Sequence, residues 1–217
     1  MANVRSISPE VAWQPTLLAA DREAPAIDAT FSSARRIVLT RGAWVDHVGG
    51  WLRGADDLLA AVIANAPWHQ RTVKMYDRIV DEPRLHAWYG TEPHDPSLPP
   101  VLGAAADALT ERYDRLFTHL GAAFYRDGRD SVAWHGDRIP PAVVDPIVAI
   151  VSLGGPRTLR MRPKGGGASR PFVLHGGDLL VMGGTSQRTW EHSVPKTADA
   201  RPRVSIQFRH DLDGRTR

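Results

Sequence analysis

The chain contains one H-x-D motif, His135-Gly136-Asp137, and a further imidazole 57 residues on at His192, within TWEHSVPK. Two imidazoles and one carboxylate can hold a divalent cation from one side, and around Fe(II) they leave three positions open for a cosubstrate and dioxygen. The end of a strand suits such a motif, because alternate strand residues point the same way and both could reach one metal. Alone the motif is weak. With nine histidines and 18 aspartates in 217 residues, chance supplies about 0.75 such pairs, and a turn histidine beside an N-capping aspartate explains it as well. For His192 the plain alternative is a half-buried strand histidine. Eleven residues further, Arg203 and Arg209 bracket RVSIQFR at an even spacing that puts both on one strand face. Pairs of that spacing are expected about 2.7 times by count among 24 arginines, so the ordered series carries the signal rather than any one member.

Composition narrows the chemistry further. The absence of cysteine excludes disulfides, thiolate zinc sites and cysteine nucleophiles, so any metal must be held by His, Asp or Glu. With 42% apolar and 24% charged residues the chain has the make-up of an ordinary globular domain. No run approaches the roughly 18 apolar residues of a membrane span, and MANVRSISPE lacks the apolar core of a secretory signal. The expectation is a cytoplasmic monomer without membrane association. Net charge is +3, yet residues 1–156 carry −4 and residues 157–217 carry +7, with Lys164 and Lys196 as the only lysines of the basic part. That asymmetry suits a polyanion such as nucleic acid and equally suits a solvated surface. The arginine bias favours a substrate bearing carboxylate or phosphate.

The elements that must position these residues are legible in part. Residues 1–30 show no period and read as an irregular arm over a single domain of residues 31–217. RIVLT (36–40) reads as a strand, and Trp44, Val45, Val48 and Trp51 fall at helical spacing. A helix is expected from Asp56 to Asn65, stopped by Ala66 and Pro67, and another from about Val101 to Leu120. Between them, 68–90 reads as paired strands with exposed loops. After Gly121, strands are expected at 122–126, 132–135, 147–153, 158–162, 170–174, 179–182, 190–194 and 203–208, divided by glycine-rich turns, which points to an all-β sandwich, jelly roll or barrel. Gly165–Gly167 reads as a hairpin tip, since no helix follows it.

YRDGRDSVAWHGD (125–137), SLGGPRTLRMRP, HGGDLLVMGG, TWEHSVPK and PRVSIQFR follow one another in an order that resembles the AlkB family of Fe(II)- and 2-oxoglutarate-dependent dioxygenases, over roughly residues 120–210 and more weakly back to about 35. The resemblance implies a mainly β fold with flanking helices, a double-stranded β-helix or jelly roll. It implies Fe(II) held by His135, Asp137 and His192, and 2-oxoglutarate gripped at its distal carboxylate by Arg203 and hydrogen-bonded by Tyr125. Arg209 would lie near the proximal carboxylate and the iron-bound aspartate. The implied reaction is oxidative dealkylation of N-alkylated bases in DNA or RNA, releasing succinate, carbon dioxide and an aldehyde. Residues 66–92 would form a nucleotide-recognition lid, with Trp88 as the stacking aromatic, His86 beside it, and Trp68, Met75 and Tyr76 as further candidates. For Trp68 and Tyr76 a place in the core of a small sheet is the competing assignment.

Two departures stand out. Ala123 replaces an asparagine that the family usually places two residues before the tyrosine, so one cosubstrate hydrogen bond is absent or comes from another group. Arg138-Ile139-Pro140 follows the H-x-D where repair members often carry acidic residues that read the damaged base. Three alternatives therefore stand beside the first reading: an oxygenase of the same fold acting on another substrate, a cupin-like enzyme without 2-oxoglutarate, disfavoured by Arg203 and Arg209, and a catalytically silent nucleic-acid-binding module. His175 reads as part of a tight HGGD turn, and His47, His69, His94, His119 and His210 read as surface residues.

Overall fold

The computed structural model describes residues 5–6, 24–75, 77–137 and 139–210. In chain order its strands are β1 (Arg5–Ser6), β2 (Ala26–Ile27), β3 (Ala34–Val38), β4 (Ala43–Val48), β5 (Leu52–Arg53), β6 (His69–Met75), β7 (Arg78–Gly90), β8 (Phe117–Tyr125), β9 (Val132–His135), β10 (Val148–Gly154), β11 (Arg157–Pro163), β12 (Arg170–Leu174), β13 (Leu179–Gly184), β14 (Trp190–Val194) and β15 (Arg203–His210). Helix α1 (Ala55–Asn65) lies between β5 and β6, α2 (Pro100–Tyr113) between β7 and β8, and the one-turn α3 (Ser186–Thr189) before β14. A nine-stranded sheet runs β1-β6-β7-β8-β15-β10-β13-β4-β3, and a four-stranded sheet runs β12-β11-β14-β9. Pairing is antiparallel in both, as in a jelly roll. Among the described residues no helix is long and apolar enough to cross a membrane.

The period of two in the central strands explains the layering. On β15, Val204, Ile206 and Phe208 join Ala149, Val151 and Leu153 of β10 and Leu120, Ala122 and Phe124 of β8 in a core backed by α1 and α2. The intervening residues point the other way, into the roll. There Val148, Ile150, Leu180 and Met182 meet Leu159, Met161, Phe172 and Leu174 of the small sheet in a second apolar core. Each such fully buried side chain contributes about 1.5–3 kcal/mol. The rest of the interior, between β8 and β15 on one side and β9 and β14 on the other, holds a small apolar cluster of Ala123, Tyr125, Val194 and Val132 together with the buried polar residues His192 and Arg203, and it contains the candidate site.

Several sequence expectations change. The helical spacing at Trp44, Val45, Val48 and Trp51 is realised as β4, a turn at Gly49 and Gly50, and β5. Strand β4 lies between β3 and β13 with both faces covered, so apolar residues occur on both and imitate a helix period. Helix α2 stops at Tyr113 rather than Leu120, because Asp114 takes a left-handed conformation at φ 52°. The chain then starts β8 at Phe117, five residues before the expected strand. Of the expected irregular arm, Arg5–Ser6 pairs with β6 and Ala26–Ile27 with β5; residues 1–4 and 7–23 lie outside the described residues. His210 is buried rather than exposed, edge-on to Phe117 at 6.3 Å, and His47, His69 and His119 are half-buried. The Gly165–Gly167 run does form the tip of the β11–β12 hairpin.

Candidate metal and cosubstrate site

The site begins with one strand pairing. His135 on β9 lies directly opposite His192 on β14, so both imidazoles leave the same face of the small sheet, with ring centroids 4.3 Å apart. Asp137, just past the end of β9, turns back so that Oδ1 stands 3.9 Å from each Nε2. One ligand atom from each of the three residues lies within 4.8 Å of the others. The nitrogen roles suit a metal. His135 Nδ1 sits 2.9 Å from the Ala133 carbonyl, an acceptor, so Nδ1 carries the proton and Nε2 keeps its lone pair for a cation.

Charge in the site follows from burial and one arginine. Burial pushes His192 down to about 4, only partly offset by Asp137, so the ring is a neutral ligand at physiological pH. Burial alone would raise the Asp137 carboxyl, but Arg209, His192 and His135 outweigh it and hold the group below its usual value. Arg209, from the opposite sheet, donates through Nε at 3.2 Å and Nη2 at 3.0 Å to Oδ2, which leaves Oδ1 toward the imidazoles.

At the other end of the same face of β15 lies Arg203, opposite Tyr125 on β8 and 1% exposed. Its Nε donates to Ser152 Oγ at 2.9 Å, and the Tyr125 ring is 5.2 Å from its guanidinium carbon. Burial pushes it down to about 10, so it remains a cation at neutral pH. Its Nη1 is buried and has no partner among the described residues. A buried cation with an unused donor is costly unless an anion completes it, and a carboxylate fits an arginine fork in both charge and shape. The donor set around His135 and the orphaned Nη1 therefore fit Fe(II) and a carboxylate cosubstrate. The row of the interior that holds Ala123 also holds Ser205 and Ser152, whose hydroxyls accept from Gln207 Nε2 at 3.0 Å and Arg203 Nε at 2.9 Å, respectively.

The lid candidates separate. Trp68 is 2% exposed, packs on Phe124 at 5.3 Å and donates its indole N–H to the Ile63 carbonyl at 3.1 Å. It is a core residue, not a substrate contact, because the strand start at 69 directs it under α1. Trp88 on β7 is 52% exposed, stands opposite Gly121, where an added Cβ would meet its ring at 3.5 Å, and has its ring 5.8 Å from His119. His86 is two residues back on the same face, bonded to Glu82 at 2.6 Å. Met75 ends β6, while Tyr76 and Arg138 lie outside the described residues. A cavity of about 370 Å³ between the end of α1 and the connector before α2 includes Pro67, Trp88, Tyr89 and Leu98 in its wall and none of the three ligands. Glu82 and Arg84, which join His86 here, are not among the residues singled out from the sequence. The alternation Glu82, Arg84, His86, Trp88 along one strand was the available signal.

An antiparallel roll with two imidazoles and a carboxylate converging between its sheets defines the class, and 157 residues bear it out: residues 53–209 match the model of the 2OG-Fe(II) oxygenase superfamily. The chain belongs to that superfamily, which uses Fe(II) and 2-oxoglutarate, and within it the chain is an AlkB-family member. It is 36% identical over 177 residues to the alpha-ketoglutarate-dependent dioxygenase alkB homolog 3 of Mus musculus, and 35% identical to that of Homo sapiens; each match covers 73% of this chain and 62% of the relative. To the DNA oxidative demethylase ALKBH2 of Arabidopsis thaliana it is 26% identical over 185 residues, covering 66% of this chain and 58% of that protein. The chain thus spans less than two thirds of the length of these relatives. Among solved structures, an oxidoreductase of the 2OG-Fe(II) oxygenase family from Burkholderia pseudomallei superposes with a TM-score of 0.48 at 13% identity, covering 71% of this chain and 77% of that one.

Proposed function

We propose that the protein is an Fe(II)- and 2-oxoglutarate-dependent dioxygenase that removes alkyl groups from ring or exocyclic nitrogens of nucleic-acid bases. In this reading His135, Asp137 and His192 hold the iron, Arg203 and Tyr125 hold the distal end of 2-oxoglutarate, and Arg209 orients Asp137. The observation that carries it is the pairing of that three-ligand cluster with the buried, incompletely bonded Arg203 on the facing sheet. Bound iron with its cosubstrate supplies the oxidation of a C–H bond beside nitrogen, after which the hydroxylated carbon leaves as an aldehyde.

The chain's own residues supply geometry. Three protein ligands leave room at the metal, His135 and Asp137 are each oriented by a second hydrogen bond, and Arg203 sets the cosubstrate's direction. Trp88, half open beside the mouth of the roll, offers a face on which an unstacked base can lie. The name of the DNA oxidative demethylase relative from Arabidopsis thaliana supports a nucleic-acid substrate. The test is a panel of methylated DNA, methylated RNA and free nucleosides, followed by succinate and aldehyde release with iron and 2-oxoglutarate present. Release coupled to a methylated oligonucleotide is expected. Succinate without any methylated nucleic acid being consumed would move the substrate outside nucleic acids, and no succinate at all would leave only a binding module.

A further inference from the structure

The lid strand carries a carboxylate that the H-x-D segment lacks. Along β7, Leu85 and Ala87 enter the helix-backed core, so His86 and Trp88 share the opposite face, toward the interior of the roll. Glu82 and Arg84 precede them in an irregular stretch of the β6–β7 pairing and reach that side through their contacts with His86 and Ser131. Register confirms the direction: His86 stands opposite Ala123 and Trp88 opposite Gly121. Arg84 is tied to the site's own wall, donating to the Ser131 carbonyl at 3.2 Å, one residue before β9.

Glu82 is built in from both sides. Its Oε2 takes His86 Nε2 at 2.6 Å and Arg84 Nη2 at 3.2 Å. The three side chains are only 14–16% exposed. Among the described residues both contacts fall on Oε2. The hydrogen bond from His86, opposed by burial and aided by Arg84, holds Glu82 down at about 2. Burial pushes His86 below its ordinary value despite Glu82. A carboxylate only accepts hydrogen bonds, and in a partly desolvated place its charge is felt more strongly than in water. On the other side, the segment after Asp137 contributes no acid: Ile139 is buried in the second apolar core, and the Pro140 carbonyl is taken by Arg188.

We propose that Glu82, positioned by His86, is the specificity-determining carboxylate of the lid, favouring alkylated bases that carry a positive charge on the ring over neutral bases of the same shape. The proposal rests on the dealkylation reading above. A base lying on Trp88 would present its edge along the strand toward His86 and Glu82. A cationic ring gains there what a neutral ring does not, because only the former offsets the cost of covering a carboxylate.

The experiment compares single-stranded oligonucleotides bearing one 3-methylcytosine, cationic near neutral pH, or one 3-methyluracil, neutral and nearly the same shape. The kcat/KM ratio is measured with the iron- and 2-oxoglutarate-loaded full chain, and the ratio of dissociation constants with iron omitted. The unaltered protein should favour 3-methylcytosine, and Glu82→Gln should lower both ratios by about tenfold or more, the worth of a hydrogen bond to a charged group. Glu82→Asp keeps the charge and should retain most of the preference, which decides the matter if the glutamine variant does not fold. Equal handling of both bases by the unaltered protein overturns the role of Glu82. So does an unchanged ratio in a folded Glu82→Gln, or an aspartate variant as indifferent as the glutamine one. Turnover of neither base would instead overturn the dealkylation reading itself.

Discussion

His192 and Arg203 show how differently two buried polar residues depend on their surroundings. His192 is a neutral ring whose Nε2 faces Asp137 Oδ1 at 3.9 Å. A three-ligand site has little redundancy, so His192→Ala should reduce Fe(II) affinity by about 10–100-fold or more, read by metal titration of the purified chain; undiminished affinity would remove His192 from the site. Arg203 keeps its charge in a place that lowers it to about 10. A lysine there has no fork and is driven neutral more easily by burial. Arg203→Lys should therefore weaken 2-oxoglutarate binding by about 1.5–3 kcal/mol, seen as a rise in the 2-oxoglutarate concentration needed for half-maximal succinate release. Both residue types and their spacing were legible in the sequence. The place of Arg209 beside Asp137 was implied only by the family resemblance, and the orphaned Nη1 of Arg203 was not legible at all, since it depends on strand partners such as Ser152, about 50 residues away.

At the scale of elements, the turn from β12 to β13 is the HGGD segment, and its integrity rests on Asp178. That side chain accepts from the His175 and Gly50 backbone N–H groups at 2.9 Å each and lies 3.4 Å from His47 Nε2. Gly177 sits at φ 87°, where a Cβ would stand 2.3 Å from the Leu52 carbonyl oxygen, so the turn admits only glycine there. Burial raises the Asp178 carboxyl, but the bonds from His47, His175 and Gly50 outweigh it and hold it below its ordinary value. The folded state therefore binds the proton less readily than the unfolded one. The resulting stability is fully present above the unfolded value of about 3.9 and is lost as pH falls through the depressed folded value. Asp178→Asn should cost about 1–3 kcal/mol at neutral pH and flatten the acid limb of a urea-unfolding series. The strands after Gly121 were readable because glycine-rich turns divide them. Strand β4 was not, because covering both of its faces erased the alternation that marks a strand.

For the whole molecule, the charge asymmetry of the sequence overstates the surface that could meet a polyanion. Arg157 and Arg203 are buried, Arg188 is spent on the carbonyls of Ile139, Pro140 and Val143, and Arg162 pairs with Glu191. Arg209 is engaged by Asp137. Arg160, Lys164, Arg170, Lys196 and Arg201 remain exposed. If three or four of these neutralise phosphates of a single strand, oligonucleotide affinity should fall by roughly 20–50-fold between 50 and 200 mM salt, measured by fluorescence anisotropy with iron omitted. An affinity insensitive to salt would remove phosphate contact from the account.

The sequence by itself determined the chemistry: no thiols, one H-x-D, a distal histidine and paired arginines in a β-rich chain resembling one family. These are local patterns, and residue type with short spacing carries them. Tertiary structure alone decided which polar residues share a space. It brought His135 and His192 into register across β9 and β14, sent Trp68 into the core while leaving Trp88 open, and joined Glu82 to His86 and Arg84. The reason is physical: whether a side chain is desolvated, and which charge it then faces, depends on strands that meet only when the roll closes.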